Sequence, residues 1–307
     1  GRNSHGTTRR MSLIQFTKNV SVFCLETMHP GGNKYYKLKH NFAEARRLGS
    51  PRLLSFGGAW SNHIHALALM GQSEAIETIG VIRGERPRKL SATLQDAESL
   101  GMKLHFISRQ DYRSKTEQAL LSSLREAFGD FYLLPEGGTN ELAVQGAGEI
   151  VDELRRVQAS FNKIILPFAT GGTLAGVSRS LKDGESVVGI SVVKGDARAQ
   201  EDAEQAVFHL IESAAEISKR RLQNWSIDYR FHCGGYAKCP AYLRDFMLLT
   251  EKKLGYPLEP VYSGKMLWAI SQMLAAGEIG DEDKVVAIHT GGLQGRRGFP
   301  ELAVAGN

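Results

Sequence analysis

Cysteine is scarce in this chain. Cys24, Cys233 and Cys239 form no CxxC pair and leave an odd count, which argues against a disulfide framework or a thiolate zinc site. A reducing, cytoplasmic setting is the expectation. No apolar run is long enough to span a bilayer, so no membrane partner is expected. Residues 1–10 are polar and arginine-containing, without the hydrophobic stretch a signal peptide needs, and they receive no function. Blocks of like charge are also missing. The net charge of +5 is spread among acidic residues, which excludes a nucleic-acid platform but suits a small anionic ligand.

Both standard nucleotide-phosphate motifs are absent. No GxxxxGK[ST] run occurs, and Gly171, Gly172 and Gly176 lack GxGxxG spacing. Metal ligation fares no better. His63 and His65 lie two apart on a predicted helix and do not face one another, and His232 beside Cys233 and Cys239 lacks a fourth ligand.

What is present is a regular alternation. Apolar, β-branched segments at 20–25, 52–56, 75–83, 103–107, 132–135, 163–168, 186–193, 225–229 and 284–289 predict strands. Helices are predicted over 33–48, 61–70, 90–100, 115–128, 141–157, from the Gly171-Gly172 turn to about 181, and over 203–214, 241–254 and 263–276. Such alternation means parallel sheets covered by helices, with two sheets preferred to one in 307 residues. The expected class is α/β, with two domains, each a mainly parallel sheet flanked by helices.

Several predicted strands end in polar, glycine-containing turns that open helices: residues 57–62, 136–140, 169–173 and 289–292. Ligands of parallel sheets sit at the carboxyl ends of strands, so these turns are expected to share one crevice. Residues 170–173 form the best phosphate cradle, with two hydroxyls and two glycines at a helix start. The candidate reactive group is Lys34. It follows Gly31 and Gly32, with Asn33 as the expected N-cap, and so lies in a first helical turn. There the helix dipole disfavours an ammonium and favours the free amine that attacks carbonyls.

Together these motifs resemble the 1-aminocyclopropane-1-carboxylate deaminase and D-cysteine desulfhydrase family of pyridoxal-phosphate enzymes, in the tryptophan synthase β-like fold type II. The resemblance rests on Gly32-Asn33-Lys34 with Lys37-Leu38, on residues 56–63, on Glu136-Gly137-Gly138, on 170–173, on 260–265 and on His289-Thr290-Gly291-Gly292. It covers the chain from about 20 to 292. It implies pyridoxal 5'-phosphate as cofactor, held covalently by Lys34, with its phosphate on Ala169, Thr170, Gly171, Gly172 and Thr173. Asn62 would contact the ring region, with Thr290 also at the cofactor. Substrate contacts fall to Trp60, Ser61, Asn62, His63, Tyr236 and Tyr262, with Ser61 and Tyr262 as further catalytic candidates. A homodimer is implied, and a large domain of residues 1–36 and 146–307 with 37–145 inserted as a smaller one.

Ser263 and Thr290 stand where ring-opening members resemble one another in carrying a glutamate and a leucine. Hydroxyls at the pyridine nitrogen make the ring a weaker electron sink, which favours β-elimination from a cysteine-like amino acid to an α-keto acid and ammonia. Two alternatives stand beside it: ring opening of aminocyclopropane carboxylate, and a protein that holds the cofactor without turnover. Trp60 replaces a glutamine of the family pattern, and Tyr35 and Tyr36 replace polar or Arg residues, all three on the expected substrate pocket.

Overall fold

The computed structural model describes residues 12–158, 160–213 and 224–303. The lead at 1–10 and the expected helix end at 214 lie outside them.

The chain opens with β1 (Leu13–Gln15) and β2 (Val20–Cys24), followed by α1 (Asn33–Arg47). Next come β3 (Arg52–Gly57), α2 (Asn62–Glu74), β4 (Glu77–Arg83), α3 (Ala92–Ser99) and β5 (Lys103–Ile107). Then follow α4 (Arg109–Arg113), α5 (Gln118–Phe128), β6 (Tyr132–Leu133) and α6 (Glu141–Val157). The second half runs β7 (Lys163–Phe168), α7 (Gly172–Arg179), β8 (Ser186–Ser191), α8 (Ala197–Glu212), β9 (Trp225–Asp228), α9 (Ala241–Leu254) and α10 (Ser263–Ala275). It closes with β10 (Val285–His289) and α11 (Pro300–Ala303).

These strands form two sheets. One has six strands in the order β1-β2-β10-β7-β8-β9 and the other four in the order β5-β4-β3-β6. All neighbours pair in parallel except β1, which lies antiparallel on β2.

The central strands β2, β10 and β7 of the larger sheet are buried on both faces, as parallel sheets require. Phe23, Ile164 and Leu166 point into one apolar cluster, while Val22, Cys24 and Ile165 point into the other. Each fully buried Leu or Ile stabilises the fold by roughly 1.5–3 kcal/mol. The smaller sheet divides likewise, Leu53 to one side and Leu54 and Phe56 to the other.

Several details differ from expectation, α4 and α11 among them, which the sequence pattern does not indicate. β1 is an added antiparallel edge. α8 begins six residues early, where Asp196 caps it by accepting a hydrogen bond from the Ala199 amide at 2.9 Å. β6 is cut to two residues because Pro135 has no N–H to continue the ladder.

One contact matters for the site. A Cβ on Gly146 of α6 would stand 1.9 Å from the Tyr36 carbonyl oxygen of α1, and one on Gly176 of α7 would stand 2.4 Å from the Val144 carbonyl oxygen. Glycine thus lets α6 touch both α1 and α7, fixing the two helices that carry the candidate lysine and the candidate cradle.

Candidate active site

Because β2, β10 and β7 are parallel neighbours, their carboxyl ends lie side by side, and so do the turns that follow. Gly32 stands where they meet, at φ +58°. A Cβ there would fall 2.1 Å from the Thr290 carbonyl oxygen, so only glycine fits. The Asn33 amide donates to that same oxygen at 3.0 Å, pinning the start of α1 to the turn after β10. Asn33 is not the cap that its residue type suggests. Gly32 occupies the cap position, and Asn33 is the first helical residue. Its side-chain Nδ2 instead donates to Thr173 Oγ1 at 3.1 Å, across to the turn after β7.

Lys34 therefore faces the crevice from the first turn of α1. Its Nζ donates to the Gly137 carbonyl at 3.1 Å. Lys37, one turn on, donates to the same carbonyl at 3.0 Å and to Thr139 Oγ1 at 3.0 Å. Burial pulls the Lys34 pKa down from 10.5 to about 8. Lys37 is also pushed well below its ordinary value, first by burial and then by the Lys34 charge. Sequence reasoning took Lys37 only as part of a motif. The signal that marks it is its spacing of three from Lys34, which puts both on one helix face.

Lys37 completes the cradle. Gly171, at φ +88°, caps α7, leaving the first amides of that helix without intrahelical acceptors and its positive dipole end facing the crevice. Thr170 and Thr139 share a hydroxyl hydrogen bond of 2.9 Å. Gly172 lies behind Lys37: a Cβ there would stand 3.3 Å from Lys37 Cε. Amides, hydroxyls and the Lys37 amine form a donor set suited to a phosphate dianion, whose charge favours the protonated form of Lys37.

The cleft so formed is lined by Lys34, Lys37, Asn62, Ala169, Thr170 and Gly171 together with Thr173, Tyr262 and Thr290. Asn62 reaches it from the start of α2. Tyr262 reaches it from the residue before α10, its hydroxyl 3.3 Å from that of Tyr236. Burial raises the Tyr262 pKa well above 10, so that hydroxyl keeps its proton.

The remaining candidates stand outside the cleft wall. Ser61 caps α2, accepting from the Ile64 amide at 3.1 Å. His63 is buried beneath, its Nε2 2.7 Å from Ser55 Oγ. His65 turns elsewhere, to Asp96 at 3.0 Å. Trp60 is 43% exposed and covers Gly298, while Tyr236 is 56% exposed. Tyr35 and Tyr36 leave the pocket too, because they project from a different side of α1 than Lys34 and Lys37. Tyr35 stacks on His29 with ring centroids 3.9 Å apart, and the Tyr36 hydroxyl donates to Glu153. Ser263 is likewise withdrawn: fully buried, its hydroxyl donates to the Glu259 carboxylate at 3.2 Å. Of the hydroxyl pair predicted for the ring nitrogen, only Thr290 lines the cleft.

A cleft that sets a lysine of lowered pKa beside a phosphate cradle suits an enzyme that carries an aldehyde cofactor on lysine. The profile of the pyridoxal-phosphate dependent enzymes matches residues 4–291, and the chain belongs to that family. Its cofactor is pyridoxal 5'-phosphate, which fits the donor set described above. The chain is 27% identical over 290 residues to a bifunctional D-cysteine desulfhydrase/1-aminocyclopropane-1-carboxylate deaminase, mitochondrial, of Arabidopsis thaliana, covering 87% of this chain and 70% of that one. It is 27% identical over 278 residues to D-cysteine desulfhydrase of Serratia proteamaculans, covering 86% and 83%. The fold is similar to the crystal structure of an 1-aminocyclopropane-1-carboxylate deaminase homologue, with a TM-score of 0.76 at 22% identity over 97% of this chain and 90% of that one. It is also similar to processed threonine deaminase isoform 2 from Solanum lycopersicum, with a TM-score of 0.65 at 15% identity, covering 97% and 81%. The fold is therefore that of the type II pyridoxal-phosphate enzymes. Among the described residues no helix is long and apolar enough to cross a membrane.

Proposed function

We propose that the protein catalyses β-elimination from a small, cysteine-like amino acid, in the manner of a D-cysteine desulfhydrase. The observation that carries this reading is the make-up of the cleft wall. It holds Lys34, Lys37 and hydroxyls, and among the described residues that line it there is no carboxylate. Thr290 lines the cleft where a ring-nitrogen partner is expected, and a hydroxyl there cannot hold a pyridinium proton as a carboxylate does. Expulsion of a thiolate tolerates that weaker electron demand better than ring opening does.

Bound pyridoxal phosphate supplies an electron sink for the charge that develops at the substrate α-carbon. The residues supply the rest. Lys34 would hold the cofactor, and its amine, whose pKa burial lowers, would take the α-proton; for a D-amino acid approaching from the other face a group near Ser61 or Tyr262 would take it. Lys37 and residues 169–173 hold the phosphate. Asn62 turns its amide to the ring region. Tyr262, held protonated, donates to the substrate, with Tyr236 supporting its hydroxyl. Ser61, next to the cleft-lining Asn62, meets the substrate carboxylate or serves in proton transfer. The β-thiolate leaves with the electrons of the broken carbon–sulfur bond, and the released enamine takes up water to give an α-keto acid and ammonia.

The division into residues 1–36 with 146–307 and an inserted 37–145 is supported by the sheets, since β3 to β6 all fall within the insert. A homodimer is supported by the family resemblance, and a reducing, cytoplasmic site by the three free cysteines. The test is a parallel assay of sulfide, α-keto acid and ammonia from D-cysteine, L-cysteine and aminocyclopropane carboxylate. Sulfide and pyruvate in equal amounts from a cysteine are expected; keto acid from the cyclopropane substrate alone would contradict the proposal.

A further inference from the structure

The side chain of Asn62 is set by residues more than two hundred positions away. Its Oδ1 accepts from Gln294 Nε2 at 2.6 Å. Gln294 belongs to the 3-10 turn Leu293–Gly298, which follows the glycines after β10 and packs on α3. The Gln294 Oε1 is itself engaged twice. Arg297 Nη2 donates to it at 3.0 Å, and the Thr93 hydroxyl of α3 donates to it as well. Arg297 is anchored in turn by Asp96 Oδ2 at 2.8 Å, and Asp96 also holds His65.

The order of these bonds has a direction. A guanidinium has donors only, so Arg297 can meet only the oxygen of Gln294. That forces the Gln294 nitrogen toward Asn62, and Asn62 must answer with its oxygen. Its Nδ2 is thereby left on the other side, next to Gly292 of the cleft wall, where a Cβ would stand 2.7 Å away. Among the described residues Nδ2 has no acceptor. The cleft thus receives a hydrogen-bond donor and not an acceptor.

We propose that Arg297 and Gln294 act as positioning residues that fix the polarity of the Asn62 amide, presenting its Nδ2 to an electron-rich oxygen on the cofactor ring. The surface ion pair Arg297–Asp96 adds little stability by itself; its work is to orient. The inference rests on the cofactor reading above and adds to it the groups that make Asn62 a donor.

The test uses Gln294→Glu, which is isosteric but offers only acceptors. In that variant Asn62 gains by rotating, giving Nδ2 to residue 294 and Oδ1 to the cleft. The affinity of the full chain for pyridoxal phosphate is read by titration, with the visible absorption band of the loaded protein as a second readout. On the order of a tenfold loss of affinity and a displaced band are expected, since one hydrogen bond becomes a repulsion. Asn62→Ala should lose about as much. The double variant should lose no more than either alone. Gln294→Met, similar in size and without polarity, should fall between wild type and Gln294→Glu. Losses that multiply in the double variant would overturn the proposal, as would unchanged affinity in Gln294→Glu while wild type binds normally. Failure of the wild type to bind would instead overturn the cofactor reading, and this inference with it.

Discussion

Lys34 and Lys37 donate to one and the same acceptor, the carbonyl oxygen of Gly137, at 3.1 and 3.0 Å. Two ammonium groups so placed repel each other, and burial penalises both, so the pair sheds protons that isolated lysines would keep. Under the proposed function, a phosphate in the adjoining cradle would draw a proton to Lys37, which already touches Thr139, and leave Lys34 to react as the amine.

Lys37→Met should therefore weaken binding of pyridoxal phosphate by about 10- to 100-fold, the loss of a charge-assisted contact. Binding of pyridoxal, which lacks the phosphate, should change by less than about twofold. Comparing the two titrations checks this. An equal loss for both ligands would mean that Lys37 serves the fold and not the phosphate.

Stability should depend on pH through Lys34. In the unfolded chain its pKa is 10.5 and in the cofactor-free native state about 8, so the native state binds the proton less well. The native state is penalised fully below about pH 8, and the penalty is relieved as pH rises through that value toward 10.5. Lys34→Met should accordingly stabilise the cofactor-free protein at pH 7, by on the order of 1 kcal/mol after allowance for the partial exposure of the side chain. That gain should shrink steadily between pH 8 and 10. Urea unfolding of both proteins at each pH measures it, and a gain that grows with pH would contradict the assignment.

Gly32→Ala should cost about 2–4 kcal/mol, because the residue combines φ +58° with a Cβ position 2.1 Å from the Thr290 carbonyl oxygen. The damage should extend to the site, since the same oxygen anchors the Asn33 amide. Thermal unfolding and cofactor titration together report it; a variant with wild-type stability and affinity would show that the β2 and β10 turns need not touch.

The alternation of strands and helices was legible because each parallel strand is apolar on both faces and each helix starts at a recognisable turn. Lys34 stood out for the glycines before it. β1 was not legible: three residues, Leu13–Gln15, are too few to show a period. The early start of α8 was hidden by the polar run at 197–202, which has no apolar stripe. Asn33 was misread as a cap because its residue type is right for one, whereas the turn geometry gave that place to Gly32. Trp60, Tyr35 and Tyr36 were read into the pocket from motif position alone, and only the direction of α1 and the 3-10 turn at Leu293–Gly298 shows where they go. Gln294 and Arg297 left no local trace, because what they touch lies some two hundred residues away.

The central claim is that Lys34, and not its neighbour Lys37, carries the cofactor. The measurement that tests it most directly is borohydride reduction of the pyridoxal-phosphate-loaded protein, followed by peptide mapping of the fixed adduct. The account predicts a visible absorption band that reduction removes, an adduct on Lys34 alone, and in Lys34→Ala no adduct and a loss of turnover of more than about 1,000-fold. An adduct on Lys37, or a loaded, active protein that reduction leaves unlabelled at Lys34, would contradict it.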